Sequence, residues 1–395
     1  MENLDARFLE INYALDTFYL LISAALVMWM AAGFSMLEAG LVRSKNTSEI
    51  LVKNILLYAI ACTCFLLFGY ELMYGQPDIE SHSKDADFFF QMVFVATAMS
   101  IVSGAVAERM KLTSFLIFCV VLSSVIYPLE GSWTWGGGFL SEAGFSDFAG
   151  SGIVHMAGAA AALAGVLLLG SRRGKYGKNG EIYAIPGANM PLATLGTFIL
   201  WFGWFGFNGG SQLQLTGAGN ADAIALIFVN TNAAAACGAL AAFLTMRFVW
   251  QKADLTMILN GALAGLVAIT ADPASPSAVL ACSIGAGAGI LVVIAIIVLD
   301  RLRLDDPVGA ISVHGIAGLY GLLLVPLSNT EASITAQLYG AGVIFAWVFS
   351  ASFAVWWILK KTLGIRVSME NEYLGGDLTD CGIAAYPEFV NSKSE

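Results

Sequence analysis

Charge is what this sequence has least of. Only 12% of its 395 residues are Asp, Glu, Lys or Arg, about half the share of an ordinary soluble domain. With 58% hydrophobic residues, the chain has too little polar surface to face water. Its apolar residues come in long runs, and a run of about 20 crosses a hydrocarbon core of roughly 30 Å. The fold expected is an all-α polytopic membrane protein. Histidine is scarcer still, with three in the chain. No cleavable signal is evident: "MENLDARFLEINYALD" is polar and acidic, with no basic stretch before a short apolar core. The six cysteines show no metal-binding spacing. Cys62 and Cys64 project from different sides of a helix, and five of the six lie in apolar runs as small packed residues. No nucleophile–base pair or cofactor motif stands out, so neither an enzyme nor a resident cofactor or metal is expected. "GAGAGI" (285–290) resembles a Gly-rich loop but sits inside an apolar span. The net charge of −10 points to no nucleic-acid partner.

Eleven spans are expected, near 16–42, 51–75, 88–107, 112–128, 148–170, 190–211, 221–248, 255–271, 277–299, 308–327 and 333–362. Alternate connections carry the basic residues. Arg43, Lys45 and Lys53 come first, then Arg109 and Lys111, then Arg172, Arg173, Lys175 and Lys178. Arg247 and Lys252, Arg301 and Arg303, and finally Lys360, Lys361, Arg366 and Lys393 follow on the same side. Only Arg7 and Lys84 fall on the other side. Basic loops stay in the cytoplasm, so the N-terminus is expected outside and the C-terminus inside. That orientation requires an odd number of spans.

One histidine sits in "DFAGSGIVHMAGAAAAL" (147–163), a run otherwise fit for the inside of a membrane. The stretch "DDPVGAISVHGIAG" (305–318) repeats its pattern. Both read D-x-x-G-x-x-x-V-H: Asp147, Gly150, Val154, His155, then Asp306, Gly309, Val313, His314. Eight residues of helix cover about 12 Å, so each histidine reaches roughly mid-membrane. The fifth span enters from outside and the tenth from the cytoplasm. This is the footprint of an inverted 5+5 repeat plus a C-terminal helix, and such folds place their sites at the repeat interface near the midplane. The membrane domain is expected over 1–365, with repeat one about 16–170, repeat two about 190–327 and the extra helix about 333–362. The cytoplasmic tail is 366–395. A lone intramembrane histidine is often a packed core residue. A symmetry-related pair is harder to dismiss, because ionisable groups are costly there. A low-dielectric site disfavours imidazolium, so the pair stays neutral or shares one proton. No third ligand accompanies it, which argues against zinc.

Three aromatic stretches converge on the outer face: "FFFQMVFVATAMS" (88–100) with Phe90 and Phe94, "SWTWGGGFL" (132–140) with Trp133 and Trp135, and "WFGWFGFNGGS" (201–211) with Trp204, Phe207 and Ser211. Interfacial aromatic belts are ordinary. Here the rings stand beside glycines and polar residues, which suits a lined vestibule. A tryptophan face attracts a cation by about 0.5–1 kcal/mol when exposed and ~2 or more when desolvated. Conduction needs weak binding, which rings and a hydroxyl supply and carboxylates do not.

Taken in order, "GFSMLEAGLVRSKN", "GAVAERM", "WGGGFL", "DFAGSGIVHMAGA", "WFGFNGGS", "FVNTNAAAA" and "DDPVGAISVHGIAG" resemble the ammonium transporter (Amt/Mep/Rh) family across nearly the whole chain. The resemblance implies an eleven-span homotrimer in the cell membrane, with a pore in each subunit. It implies recruitment of ammonium, with methylammonium a second candidate substrate, at Trp135, Ser211 and Phe94. Phe90 then lines the vestibule, Phe94 and Phe207 gate the pore, and His155 and His314 are its paired imidazoles. Asp147 supports the recruitment site without touching the ion, and a carboxylate at a helix start also suits the dipole. Ammonium would lose water at the mouth and cross as ammonia, with its proton following through the histidines or left behind. The tail departs from the family pattern. Gly376-Asp377-Leu378 and Ala385-Tyr386 are kept, but Cys381-Gly382-Ile383 stands where the family has His-Gly-Glu. That leaves docking of a PII-type regulator an open question. It also raises a rival reading, an ammonium sensor that signals through a kinase or cyclase domain or partner and conducts little.

Overall fold

The computed structural model describes residues 2–389. Lys393 and the end of the expected tail lie outside the described residues. Among the described residues, apolar helices make up the body. They are α1 (Glu2–Leu41), α2 (Ser44–Tyr74), α3 (Lys84–Ala105), α4 (Leu112–Ser132), α5 (Ser151–Leu169), α6 (Met190–Gly210), α7 (Ala218–Trp250), α8 (Leu255–Ile269), α9 (Ala278–Arg301), α10 (Ile311–Leu327) and α11 (Ile334–Thr362). Nine of these are long and apolar enough to cross a membrane; α8 and α10 are shorter. Among the described residues there is no β-strand, only isolated bridges between Met110 and Arg366 and between Tyr176 and Ile182.

Each expected span coincides with one of these helices. The largest correction is to α1, which starts at Glu2 rather than 16. Hydropathy marks where a helix enters lipid, not where it begins, and "ENLDARFLE" contains good helix formers. α2 likewise starts at Ser44 rather than 51.

Small residues bring the helices together. α1 runs along α6, where a Cβ on Gly196 would lie 2.3 Å from the backbone nitrogen of Leu37. α7, α8 and α9 form a second tight group, in which a Cβ on Gly285 would lie 2.1 Å from the carbonyl oxygen of Ala234. Lipid tails are as apolar as leucine, so close backbone packing has to hold such helices together.

The basic loops gather at one end. Asp305 accepts from the Arg172 backbone N–H at 2.7 Å, from its Nε at 2.9 Å and from its Nη2 at 2.9 Å. Glu108 joins Arg172 at 3.2 Å and also pairs with Arg43. Arg109 Nη2 donates to the Asp305 carbonyl at 2.6 Å. Burial alone would raise the Asp305 carboxyl, but the bonds from Arg172 and the charges of Arg109 and Arg172 outweigh it and bring its pKa down to about 2. The tail docks on the same end. Glu372 accepts from Arg366 Nη2 at 2.8 Å and from the Arg173 backbone at 2.8 Å. Asp377 accepts from the Glu49 backbone at 3.0 Å, and Asn46 accepts from the Gly376 backbone at 2.9 Å. Glu372 and Asp377, both outside the Cys381-Gly382-Ile383 element, hold the tail there.

Candidate functional site

Two short segments build the centre. α5 opens on π-helical turns over Ser151–Met156, and α10 over Ile311–Ile316. Each follows a glycine with positive φ, Gly150 at 107° and Gly309 at 82°, a conformation that glycine holds most cheaply. Each also follows a capping aspartate. Asp147 Oδ1 accepts from the amides of Gly150 at 3.1 Å and Ser151 at 2.8 Å, and Oδ2 from those of Gly152 at 2.8 Å and Ile153 at 2.9 Å. Asp306 does the same with fewer bonds, accepting from Gly309 at 3.1 Å and Ile311 at 2.7 Å. The first amides of a helix have no partner within it. The D-x-x-G spacing therefore supplies both the cap and the turn, and π turns inside helices recur at functional sites.

The result is a facing pair. His155 Nδ1 and His314 Nδ1 are 3.2 Å apart, with ring centroids at 5.1 Å and planes 21° apart. Both side chains are buried. At that distance one Nδ1 carries a proton and the other accepts it. One imidazole then presents a bare Nε2 and the other an Nε2–H, so the pair has a direction, which reverses when a proton enters at the bare Nε2, the Nδ1 proton crosses and the other Nε2–H leaves. His155 Nε2 has no hydrogen-bond partner within the protein. No group of three or more His, Cys, Asp or Glu side chains fit to hold a metal occurs among the described residues.

Outward from the pair runs a file of rings. Phe207 stacks on His155 at 5.3 Å and on Phe94 at 4.0 Å. Phe90 lies 4.7 Å from Phe94, and Trp135 meets Phe94 edge-on at 6.0 Å. The three phenylalanines are buried, while Trp135 and Ser211 are half-buried. The Trp135 indole N–H donates to the Asp147 carbonyl at 3.0 Å. Ser211 stands one turn beyond Phe207 and donates to its carbonyl at 2.9 Å. On its other side, toward the basic end, His314 borders a cavity of about 20 Å³ that Phe34, Glu38, Ser100 and Asn260 also line. That is room for one water-sized molecule. Beyond it opens a vestibule of about 480 Å³ at the basic end, sharing Asn260 and Val308 with the cavity.

Of the eight residues given roles from the sequence, Phe90, Phe94, Trp135, Phe207, His155 and His314 stand in one file, and Asp147 and Ser211 are bonded to it through Trp135 and the Phe207 carbonyl. Two neighbours do not behave as the sequence led us to expect. Trp204 is not at the mouth: it is buried, stacks on His155 at 5.0 Å, and donates to Thr270 Oγ1 at 2.7 Å. Trp133 packs on Phe139 and Trp347 at 5.3 and 5.8 Å instead of joining the file. Sequence reasoning missed the support behind Trp204, where Thr270 donates to Asn208 at 3.1 Å and Asn208 to Thr231 at 3.0 Å. It also missed Phe34 and Glu38. "GFSMLEAG" carries the signal for both, a carboxylate inside an apolar run.

The family model described as Ammonium Transporter Family matches residues 18–386. The chain belongs to the ammonium transporter family. It is 43% identical to the ammonium transporter Amt2 of Archaeoglobus fulgidus, over 96% of this chain and 90% of that protein. Its structure resembles that of a protein titled Sensor Amt Protein, with a TM-score of 0.89 and 34% identity, over 96% of this chain and all of the other. It also resembles Candida albicans Mep2, with a TM-score of 0.83 and 25% identity, over 92% of this chain and 88% of that one. Family membership and the apolar helices make this a multi-pass protein of the plasma membrane.

Proposed function

We propose that this ammonium transporter homologue recruits NH4+ at Trp135, Ser211 and Phe94 and passes NH3 inward. The path runs between Phe94 and Phe207, past His155 and His314, to the cytoplasmic vestibule. The observation that carries the reading is the unbroken order of the file: indole, stacked phenyl rings, paired imidazoles, a single-molecule cavity, then open space. Energetics decide which species crosses. Moving an ammonium-sized ion into a medium of ε ≈ 4 costs of order 20 kcal/mol in the idealised limit. A cation–π contact returns only ~2 kcal/mol. Deprotonating an alkylammonium such as lysine at pH 7 costs only about 5 kcal/mol. Losing the proton is the cheaper way past two stacked rings. Asp147 caps α5 and holds the Trp135 indole through its own carbonyl, which makes it a positioning residue.

The proposed architecture is an inverted repeat of α1–α5 and α6–α10 with α11 added. The N-terminus is outside and the basic end cytoplasmic, and each subunit of a homotrimer has its own file. The matched glycines, capping aspartates and π turns of α5 and α10 support the repeat. The test is the current on a solid-supported membrane after an ammonium pulse, run beside His155→Ala. A current in the intact protein that is lost in the variant means that the proton crosses with ammonia. Silence with methylammonium uptake persisting means that ammonia crosses alone. Absence of both in an assembled trimer overturns transport in favour of a sensor.

A further inference from the structure

Glu38 is a buried carboxyl that the file alone does not explain. It lies on α1, is 1% exposed, and lines the 20 Å³ cavity together with His314. One carboxyl oxygen is accounted for: Oε2 accepts from Ser103 Oγ at 2.7 Å. Oε1 has no partner in the protein. Lys53, also buried, does not contact the carboxyl directly. Its Nζ donates to the Ser103 carbonyl at 3.1 Å and lies over the Phe115 ring at 5.2 Å. Ser103 thus stands between the two charges. The other groups around Glu38 are Asn54 and Glu49 on α2 and the imidazole of His314 on α10. An orphaned oxygen in a buried carboxyl calls for a mobile partner. The cavity beside it has room for one molecule of the size of water or ammonia.

We propose that Glu38 is the inner proton-exchange group of this file, acting through the molecule held between it and His314. In the carboxylate form it gains a proton in one of two ways: the held water passes one on while His314 gives it another, the histidine pair regaining a proton at His155 Nε2, or ammonium arriving from the vestibule gives up its proton and is left as NH3. In the acid form it gives the proton to ammonia leaving the histidine pair: the O–H bond breaks, an N–H bond forms, and NH3 + RCOOH becomes NH4+ + RCOO−. No other reactant is required. The ion then stands beside Asn260 and Val308, which also line the wide vestibule. Lys53 and Ser103 are positioning residues that keep the charged form tolerable in a dry site.

The inference rests on the transport reading, and its test separates the two. The full chain is reconstituted in proteoliposomes as wild type, Glu38→Gln and Glu38→Asp. Infrared difference spectra are recorded on adding ammonium chloride, alongside the ammonium uptake rate. Wild type is expected to show an ammonium-sensitive carboxyl band that is missing in Glu38→Gln and moved in Glu38→Asp. Uptake should fall about 100-fold in Glu38→Gln, as for loss of a general acid–base, and recover in large part in Glu38→Asp. A band that persists in Glu38→Gln, or the same band in wild type and Glu38→Asp, overturns the assignment. So does wild-type uptake in Glu38→Gln. Should Glu38→Gln fail to fold, the comparison of wild type with Glu38→Asp still decides. Failure of the transport reading itself looks different: the wild type then takes up no ammonium at all.

Discussion

Replacing Trp135 with leucine should weaken recruitment without closing the path. The indole is half-buried, and one edge rests on Phe94 at 6.0 Å, so a cation above it is partly desolvated. The lost attraction lies between the exposed and desolvated limits, ~1–2 kcal/mol. At 1.4 kcal/mol per factor of ten, the half-saturating ammonium concentration should rise about 5- to 30-fold. Trp135→Phe separates two contributions. It keeps a ring over the site but loses the N–H bond to the Asp147 carbonyl, 3.0 Å in the native protein. A neutral hydrogen bond is worth roughly 1 kcal/mol net, a factor of about five, and a ring still faces the ion, so a rise of about fivefold is expected. The assay is the ammonium dependence of uptake into proteoliposomes at fixed pH. Maximal uptake should stay close to wild type, because Phe94, Phe207 and the histidines are untouched. An unchanged half-saturating concentration in folded Trp135→Leu would refute the claim that the indole holds the ion.

Three further outcomes are expected. His155→Ala removes the ring between Phe207 and His314 together with the 3.2 Å Nδ1–Nδ1 bond, so any net charge movement that follows an ammonium pulse should vanish in electrical recordings. Asp147→Asn keeps one acceptor oxygen where two now serve four amides; two buried amides lose their partner at ~1–3 kcal/mol each, a roughly 2–6 kcal/mol loss readable by denaturant unfolding in detergent. Asp305→Asn breaks a buried ion pair with Arg172 and should cost about 3–5 kcal/mol in the same assay. In the native protein the folded pKa of Asp305, about 2, lies below its unfolded value of 3.8. Its contribution of roughly 2 kcal/mol is therefore complete above pH 4 or so and fades as the pH falls through about 2, a dependence that Asp305→Asn should lack.

Much of the fold was legible because membrane spans announce themselves by length and hydropathy. The start of α1 at Glu2 was not, since a helix that continues into water carries no apolar signal there. The D-x-x-G-x-x-x-V-H pattern led to the histidine pair because capping and a positive-φ glycine are sequence-encoded. The π turns that follow are not: they appear only once the helices pack. Trp204 on α6 and Ser211 at its C-terminal cap share one motif, so spacing alone could not say that one lies beside His155 and the other a turn beyond Phe207. Glu38 and Lys53 stand on different helices and are linked only through Ser103 on a third. A three-body arrangement of that kind has no local signature. The missing family element bears on a regulator rather than on the tail's own seat, which Glu372 and Asp377 supply from outside that element.

The most direct measurement is uptake of radiolabelled methylammonium into proteoliposomes holding wild type or Phe207→Trp, in which a larger ring fills the stack against Phe94. Uptake well above that of protein-free vesicles in wild type, lost in Phe207→Trp, is the outcome predicted. Equal uptake in the two proteins, or none above protein-free vesicles in wild type that still binds ammonium, would contradict a conducting file between those rings.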